Sequence, residues 1–487
     1  MNILRRIVGT VFIAAALGGV IAVERRQPVL SDGASAVLNS SSGFPQVSAG
    51  SRISTSWFCP GAAGGDGIDS ASVVISNPSD GEITATVSFL TDTAEESKTV
   101  VVAARSQLAI DALRGRTVGV VVPIIEIIGS VGTVEQNIVF AAGDVTSQCV
   151  SQTSSTWYFA DGFTAEGSTE RLVLTNPFPE SAVANISFTT SEGRRTPANL
   201  QGVILAPRTS KSISINEAGA QDESSVALEI QATSGQIIAS RIEHYLGGGR
   251  LGYSATVGTP TPQSEWWFTS GRTGSSVTEK LVAYNPSDTD AQVTVSFFGV
   301  GITNGMPLDQ AASAASPSSA LTIPAGAVLA IKTDDIADLP KGDHAMVVSS
   351  LGNARLVVEH VLSQITGGSS FTAVTNGIPT DLLSTKWRVP SGLANGARNA
   401  LTILNTTAIE GTITVSAVGP GGEVPLPDLV NIPIGAASVI SLDVPLGATD
   451  GEVVVTSTVD LAIQRRTTRG HGLVGFGIVG ALPVRQK

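Results

Sequence analysis

The sequence predicts an all-β protein, with four tandem immunoglobulin-like β-sandwich repeats after an N-terminal membrane-targeting helix. Its length of 487 residues exceeds what one hydrophobic core holds and suits three or four domains. Charged residues are only 14% of the chain and Gly is abundant, which favours strands and turns over helices. One short sequence pattern also recurs four times, which indicates repeated domains.

The N-terminal element is an apolar run without charges, residues 7–23, preceded by Arg5 and Arg6. As a helix it would span about 26 Å, slightly less than the about 30 Å hydrocarbon core of a membrane. Residues 1–26 are therefore predicted to be a signal peptide, cleaved after Ala22, or an uncleaved signal anchor, and both remain open. Residues 27–52, rich in Ser, Gly and Ala, are predicted to form a flexible stalk.

Each repeat is recognised by a Trp and, further along, by an Asn that opens a turn. The four pairs are Trp57 and Asn77, Trp157 and Asn176, Trp266 and Asn285, and Trp387 and Asn405. On both sides of each Asn, apolar residues alternate with polar ones, as Ala85, Val87 and Phe89 do in the first repeat. This period of two predicts half-buried strands, and the two strands are expected to form a β-hairpin around the Asn turn.

A second β-hairpin is predicted later in each repeat, with its turn at Ser234-Gly235 in the second repeat. One more strand follows a Gly-rich stretch and closes repeats two to four. The predicted repeats are residues 53–152, 153–262, 263–383 and 384–487, and residues 310–319 are predicted to be a surface insertion. Because the linkers between repeats are only a few residues long, a stiff rod is expected.

The recurring Trp is interpreted as a packing residue, because a large apolar side chain at one register in every repeat suits a core. The residue after it varies and faces the other side of the strand, so it is the better candidate for an exposed surface. Tyr158, Trp266 and Trp267 are accordingly the candidates for stacking against a glycan, with packing as the preferred reading of each.

The chain has two Cys, Cys59 near the start of the first repeat and Cys149 near its end. When an exported protein has only two Cys residues, they usually form a disulfide with each other, so a disulfide is predicted between Cys59 and Cys149. A Cys-based metal site would need more ligands nearby than the sequence offers.

Several chemistries are disfavoured by the sequence. The net charge of −12, without a basic patch, argues against nucleic-acid binding. Residues 247–252 match G-x-G-x-x-G, but no helix pattern follows to hold a phosphate. The repeated pairs Glu243-His244 and Glu359-His360 lie on strands, where neighbours face opposite ways and cannot share a metal. Each Glu is instead interpreted as facing inward beneath a domain interface or bonding a neighbouring loop. No calcium loop, cofactor motif or catalytic triad is recognised, so the chain is predicted not to be an enzyme.

Two stretches carry a family resemblance: "STWYFADGFTAEGSTERLVLTNPFPESAVANISF" and "SEWWFTSGRTGSSVTEKLVAYNPSDTDAQVTVSF". They resemble the tandem repeats of exported bacterial proteins, particularly an uncharacterised actinobacterial family of membrane-anchored or secreted proteins with β-sandwich repeats. The resemblance covers most of residues 53–487. The fourth repeat departs from it, with Thr406 in place of Pro and Arg388 in place of an aromatic. It implies a location and an architecture, and it brings no catalytic residues.

The expected function is that of a non-enzymatic structural or interaction protein of the cell envelope. It would be extracytoplasmic, anchored to the cytoplasmic membrane through its N-terminal helix or secreted. Its expected partners are an envelope protein or cell-wall polysaccharide, with no nucleic acid and no cofactor. The alternative is an array of glycan-binding modules that uses Tyr158, Trp266 and Trp267.

Overall fold

Antiparallel strands account for nearly all regular structure in the computed structural model. It describes residues 44–47, 54–65, 67–129, 132–140, 143–299, 318–336, 339, 341–352, 354–366, 369–390, 398–445, 451–468 and 476–484. The predicted membrane-targeting helix, most of the stalk and the insertion at 310–319 lie outside these residues. Within them, no helix is long and apolar enough to cross a membrane. The helices described are 3₁₀ turns, at Ala198–Leu200, Thr333–Asp335, Thr380–Leu382 and Pro427–Leu429.

The first two repeats are each built from nine strands in two sheets. In repeat 1 these are β1 (Ser54–Phe58), β2 (Ala62–Ala63), β3 (Ile68–Asn77), β4 (Ile83–Leu90), β5 (Glu95–Val102), β6 (Ser106–Asp111), β7 (Val120–Ile128), β8 (Thr133–Phe140) and β9 (Gly143–Gln148). In repeat 2 they are β10 (Thr156–Gly162), β11 (Thr169–Asn176), β12 (Ala182–Thr190), β13 (Gly193–Arg195), β14 (Val203–Leu205), β15 (Thr209–Ser214), β16 (Val226–Ser234), β17 (Ile238–Gly247) and β18 (Arg250–Val257). The first sheet of repeat 1 has the order β1-β7-β4-β5 and its second sheet β6-β3-β8-β9.

The last two repeats follow the same plan. Repeat 3 has β19 (Glu265–Thr273), β20 (Val277–Tyr284), β21 (Ala291–Gly299), β22 (Ser318–Ile323), β23 (Val328–Lys332), β24 (Gly342–Ser350), β25 (Val357–Thr366), β26 (Ser369–Asn376) and β27 (Ile378–Pro379). Repeat 4 has β28 (Ser384–Val389), β29 (Arg398–Asn405), β30 (Gly411–Gly419), β31 (Gly422–Pro425), β32 (Ile432–Ile434), β33 (Val439–Val444), β34 (Val453–Thr468), β35 (Phe476–Gly480) and β36 (Leu482–Pro483). In repeat 4 the long strand β34 belongs to both halves of the sandwich, so all nine strands form one continuous sheet.

The corner Asn of each repeat connects the two sheets, so the predicted hairpin around it is wrong. Strand β3 pairs with β6 and β8, whereas β4 pairs with β5 and β7. The Asn77 side chain is buried and donates to the carbonyl oxygens of Gly81 at 2.8 Å and Ala103 at 2.9 Å. Asn176, Asn285 and Asn405 make the matching bonds. Each Asn therefore holds a crossover between the sheets.

The second predicted hairpin is also a crossover, since β16 and β17 pair with other strands and lie in different sheets. Alternation of apolar and polar residues is the same whether consecutive strands pair or face each other across a core. It therefore predicts the strands and their buried faces without predicting their partners.

The recurring Trp lies in the sandwich core of every repeat: Trp57, Trp157, Trp266 and Trp387 are at most 1% exposed. The indole N–H of Trp157 donates to the Ile237 carbonyl, and that of Trp266 to the Leu356 carbonyl, both at 2.9 Å. In repeat 1 a disulfide joins Cys59 to Cys149, with the two Cα atoms 4.2 Å apart. It connects the residue just after the first strand of the repeat to the residue just after its last strand.

The four repeats form a closed ring, and the extended rod expected from the short linkers is wrong. Residues 43–487 make one compact unit. The last strands of the second sheets, β9, β18, β26 and β35, pack side by side around a common axis. Ser147 donates to the Ala255 carbonyl at 2.5 Å, and Asn376 donates to the Val257 carbonyl at 3.0 Å. Phe371 packs edge-on against Phe476 with ring centroids 4.3 Å apart.

The ring closes between repeats 4 and 1. The Gln148 side-chain amide donates to the Ala481 carbonyl at 3.3 Å and also to the Gly480 carbonyl. A heterologous interface repeated around an axis either closes into a ring or continues as an open helix. Four repeats close it here.

Candidate functional site

The junctions between repeats are the most elaborate feature of the ring, and all four use the same two positions. These are consecutive residues of β8, β17, β25 and β34, which we call position one and position two. In the strand pairing, position one lies opposite the residue that comes three positions before the corner Asn of the same repeat. In repeats 1 to 4 it is occupied by Glu135, Ser240, Glu359 and Gln464. Position two is occupied by Gln136, Arg241, His360 and Arg465.

Between repeats 2 and 3, position one is Glu359, which is completely buried. One of its carboxylate oxygens accepts the backbone N–H groups of Ala160 at 2.9 Å and Asp161 at 2.6 Å. Its other oxygen accepts the Arg241 guanidinium at 3.1 Å. Burial lowers the pKa of Arg241, but the carboxylates of Glu243 and Glu359 outweigh it and raise that pKa above its usual value. Arg241 is therefore a buried cation held by carboxylates from two repeats.

A larger buried network surrounds this pair. Arg250 bonds both oxygens of Asp161 at 2.7 Å, and the Lys280 ammonium of repeat 3 lies 3.6 Å from the same carboxylate. Burial raises the pKa of Asp161, yet Arg250 and Lys280 bring it down to about 2. Glu243 accepts the Tyr245 hydroxyl at 2.6 Å and the Ser254 hydroxyl at 2.9 Å. The network thus ties repeat 3 to repeat 2 through charge as well as packing.

Glu170 lies directly opposite Glu243 on the neighbouring strand and is fully buried. Burial and the adjacent Glu243 carboxylate raise the pKa of Glu170 well above its usual value. Nearby, the carboxyl groups of Asp161, Glu243 and Glu359 face basic side chains of the same buried network. Those basic side chains are Arg241, Arg250 and Lys280.

Between repeats 4 and 1 the same arrangement recurs. Glu135 at position one accepts Arg465 of repeat 4 at 2.6 Å, and Arg465 also donates to the Pro390 carbonyl. Gln148 occupies the place that Asn376 holds at the other charged junction, and both donate to a carbonyl of the preceding repeat. Junctions 2–3 and 4–1 are therefore alike, and we call them the charged junctions.

The other two junctions are neutral. Between repeats 1 and 2, Ser240 donates to the Pro60 carbonyl at 2.6 Å, since Pro60 has no N–H to offer a carboxylate. Between repeats 3 and 4, Gln464 accepts the backbone N–H groups of Thr269 at 2.8 Å and Ser270 at 3.1 Å. Position one therefore matches the donors or acceptors that the preceding repeat presents.

The family of unknown function DUF5719 matches residues 130–250 and 247–484, which include all four junction positions. The chain belongs to DUF5719. A search of characterised proteins finds no match. Among solved structures, the Thermotoga maritima protein 1070 is 14% identical, covering 25% of this chain and 97% of that one with a TM-score of 0.21. The Streptomyces avermitilis α-L-rhamnosidase in complex with L-rhamnose is 9% identical, covering 72% of this chain and 44% of that one with a TM-score of 0.15. Neither likeness carries an argument about this DUF5719 chain.

The Glu-His pairs predicted as equivalent are not at the same place in the fold. Glu359 and His360 occupy positions one and two, but in repeat 2 these positions are Ser240 and Arg241, and Glu243 lies three residues further along. Glu359 and His360 do face opposite ways. His360 Nε2 forms a hydrogen bond with Glu279 Oε1 of its own repeat at 2.7 Å.

Glu279 sits between two imidazoles, with His344 Nε2 at 2.9 Å and His360 Nε2 at 2.7 Å. Burial raises the pKa of Glu279, but the charge and hydrogen bonds of these His residues lower it to about 2. In the described residues, no group of three or more His, Cys, Asp or Glu is arranged to hold a metal ion.

Two of the three aromatics proposed for glycan stacking are buried, so that assignment is wrong for them. Trp266 is 0% exposed and Trp267 is 3% exposed, and Trp267 stacks on Phe298. The residue after each Trp pairs with the chain that follows the last long strand of its repeat, as Trp267 does with Ile378 in β27. This register lies at a junction, where the chain covers it.

Tyr158 differs, because it is half-buried and lines an open cleft on the outside of the 2–3 junction. The facing wall of the cleft carries Asp290, Leu351 and Arg355 of repeat 3, all exposed. A narrower space lies on the ring axis, and its volume open to water-sized molecules is about 80 Å³. Sequence reasoning placed Glu359 beneath a domain interface but missed Ser240 and Arg241, whose junction partners become neighbours only when the repeats pack together.

Proposed function

We propose that this DUF5719 chain is a non-enzymatic scaffold of an actinobacterial cell envelope, which holds partners at fixed spacing outside the cytoplasmic membrane. The observation that carries the proposal is the ring itself. Four similar repeats are locked in one arrangement by buried ion pairs and complementary hydrogen bonds. Such contacts favour one relative placement of the repeats over others, which suits a rigid platform.

The extracytoplasmic location is supported by the apolar run at residues 7–23 and by the Cys59–Cys149 disulfide, since disulfides persist in oxidising compartments. A chain with 7 Lys against 22 Arg also suits a high-GC genome. Low charge and the half-polar outer faces of the sheets suit a surface protein of the envelope.

The test uses the full chain, expressed with a C-terminal tag in an actinobacterial host. Protease added to intact cells should remove the tag, and crosslinking in whole cells should capture the same envelope protein reproducibly. An Arg465→Met variant, which removes the cation that Glu135 accepts across the junction between repeats 4 and 1 and so weakens the ring, should lose that partner. The surface variant Phe178→Ala should keep it. A tag that is protected from protease would contradict the location, and capture unchanged by Arg465→Met would contradict the scaffold.

A second candidate, glycan binding, is favoured by the cleft at Tyr158. A half-buried Tyr that lines a cleft with a carboxylate and a guanidinium offers an aromatic ring and hydrogen-bonding groups for sugar hydroxyls. Retention of the chain on isolated cell-wall polysaccharide should fall in Tyr158→Ala and remain in Phe178→Ala. Equal retention of both variants would assign Tyr158 to junction packing alone.

A further inference from the structure

The junction between repeats 4 and 1, which we call the seam, differs from the other three in one respect. The linkers after β9, β18 and β26 carry the chain across the first three junctions. At the seam, the two repeats are the first and the last along the chain, and no linker joins them. Its closure therefore depends on non-covalent contacts, including the Glu135–Arg465 pair and the bond from Thr133 to Glu452 at 3.1 Å.

A short segment ahead of repeat 1, residues 44–47, lies across this seam. The Val47 N–H donates to the Pro483 carbonyl at 3.0 Å, and Val47 forms a parallel bridge with Val484. Val47 is also 4% exposed and packs in the core of repeat 1, beside Leu482 of repeat 4. One residue thus connects the first repeat to the last strand of the fourth.

Phe44 anchors the other end of the segment in a different repeat. It is 4% exposed and packs edge-to-face on Trp266 of repeat 3, with ring centroids 5.6 Å apart. Phe44 and Pro45 also line the space on the ring axis. Four residues therefore contact repeats 1, 3 and 4 together, at the end of the axis where the seam closes.

We infer that residues 44–47 form a strap that holds the seam shut, so that releasing the strap opens the ring at the junction between repeats 4 and 1. Proteins open locally along the interfaces with the fewest stabilising contacts, and a junction without a linker is one of these. This inference stands apart from the proposed scaffold function.

At the closed seam, β9 and β35 approach each other closely at Gly477. A Cβ atom placed on Gly477 would lie 3.1 Å from the Thr146 backbone nitrogen, so the two backbones are in close contact. Opening the seam exposes this amide edge to solvent, whereas the junction between repeats 2 and 3 keeps both its linker and its ion pair. The two junctions can therefore be compared within one molecule.

Hydrogen–deuterium exchange of the full-length chain in detergent tests the strap. The variant Phe44→Ala/Val47→Pro removes the aromatic contact and the N–H that bonds Pro483. Peptides covering 143–148 and 476–480 should exchange at least about tenfold faster than in the wild type. Peptides covering 250–257 and 369–376 should not change. Phe178→Ala, an exposed Phe of repeat 2, is the matched control and should leave all four peptides unchanged.

Unchanged exchange at 143–148 and 476–480 would overturn the inference. Equal acceleration in all four peptides would overturn it as well, because the segment would then support the whole ring without a special role at the seam. The milder variant Phe44→Leu keeps apolar burial and guards against misfolding, and it should show a smaller acceleration confined to the same two peptides.

Discussion

The charged and neutral junctions join neighbouring repeats at the same place in the fold but through different chemical groups. At the charged junctions, between repeats 2 and 3 and between repeats 4 and 1, a buried Glu meets an Arg of the preceding repeat. At the neutral junctions, Ser240 and Gln464 meet backbone groups. The fold supplies the same location each time, and the side chain found there matches the donors or acceptors that the preceding repeat presents.

The alternation gives the ring an approximate twofold character, in which repeats 1 and 2 correspond to repeats 3 and 4. A buried ion pair adds little net stability over a well-packed apolar pair, but breaking it is costly. A Glu docked against a repeat without a matching cation or N–H would be left unsatisfied. The alternation therefore favours one order of repeats around the ring.

The largest expected effect is loss of the cation at a charged junction. Arg241→Met keeps the side-chain volume but leaves Glu359 and Glu243 buried without it, which should lower the free energy of unfolding by about 3–5 kcal/mol. Gln464→Ala at a neutral junction removes only neutral hydrogen bonds and should cost about 1–3 kcal/mol. Urea unfolding of the two variants measures the difference. Equal losses would mean that the two junction types do not differ energetically.

The next effect is a pH dependence at the seam. Burial raises the pKa of Glu452 to about 7, and the charges of Glu135 and Glu423 act in the same direction. Arg388 and the hydrogen bond from Thr133 oppose this rise. The folded protein therefore keeps this proton up to about pH 7, whereas the unfolded chain loses it near 4.5. Between pH 4.5 and 7 the stability should fall by about 3 kcal/mol from this group.

Glu452→Gln should remove that slope and unfold at a higher urea concentration than the wild type at pH 8. Glu279 has the opposite sign, because its folded pKa is about 2, and its contribution is lost only as the pH falls below 4.5. A slope between pH 5 and 8 that survives in Glu452→Gln would show that another group causes it.

A third prediction exchanges the chemistry of the neutral junctions. Gln464→Glu places a carboxylate before the N–H groups of Thr269 and Ser270, whereas Ser240→Glu places one before Pro60, which has no N–H. We expect Ser240→Glu to be the more destabilising by about 2 kcal/mol, because its buried carboxylate lacks donors. Thermal unfolding of the pair gives the difference, and the reverse order would contradict the donor-matching rule.

The smallest effect concerns the amides that flank the charged junctions. Asn376→Ala and Gln148→Ala each remove bonds to carbonyls of the preceding repeat, and each should cost about 1 kcal/mol. Because their environments are equivalent, the two losses should agree within about 0.5 kcal/mol. A clearly larger loss for Gln148→Ala would indicate that the seam, which lacks a linker, depends more on each contact.

Much of the local structure could be predicted from residue patterns. The alternation around Asn77 and its counterparts located strands, and the recurring Trp was correctly interpreted as a core residue. The corner Asn was assigned to a turn, and the structure adds that its side chain bonds carbonyls of a distant loop. The same alternation led to two hairpins that are in fact crossovers, since a period of two does not distinguish the two kinds of connection.

The site was less predictable. Glu359-His360 attracted attention as a repeated pair, but its true counterpart is Ser240-Arg241, which shares no residue type with it. Trp267 was a candidate for an exposed surface with packing preferred, and it is buried, with its strand paired to β27 of the same repeat. Short linkers also suggested a rod. A short linker limits the distance between neighbouring repeats, but it does not set the direction or the angle of the rotation between them.

The sequence by itself determined the strands, the fourfold repetition and the buried Trp, because these depend on periodicities within about ten residues. Tertiary structure alone decided which strands pair, which charges meet and that the first repeat meets the fourth. Those contacts join residues as far apart in the sequence as Glu135 and Arg465, and they form only because the turns between neighbouring repeats close the ring.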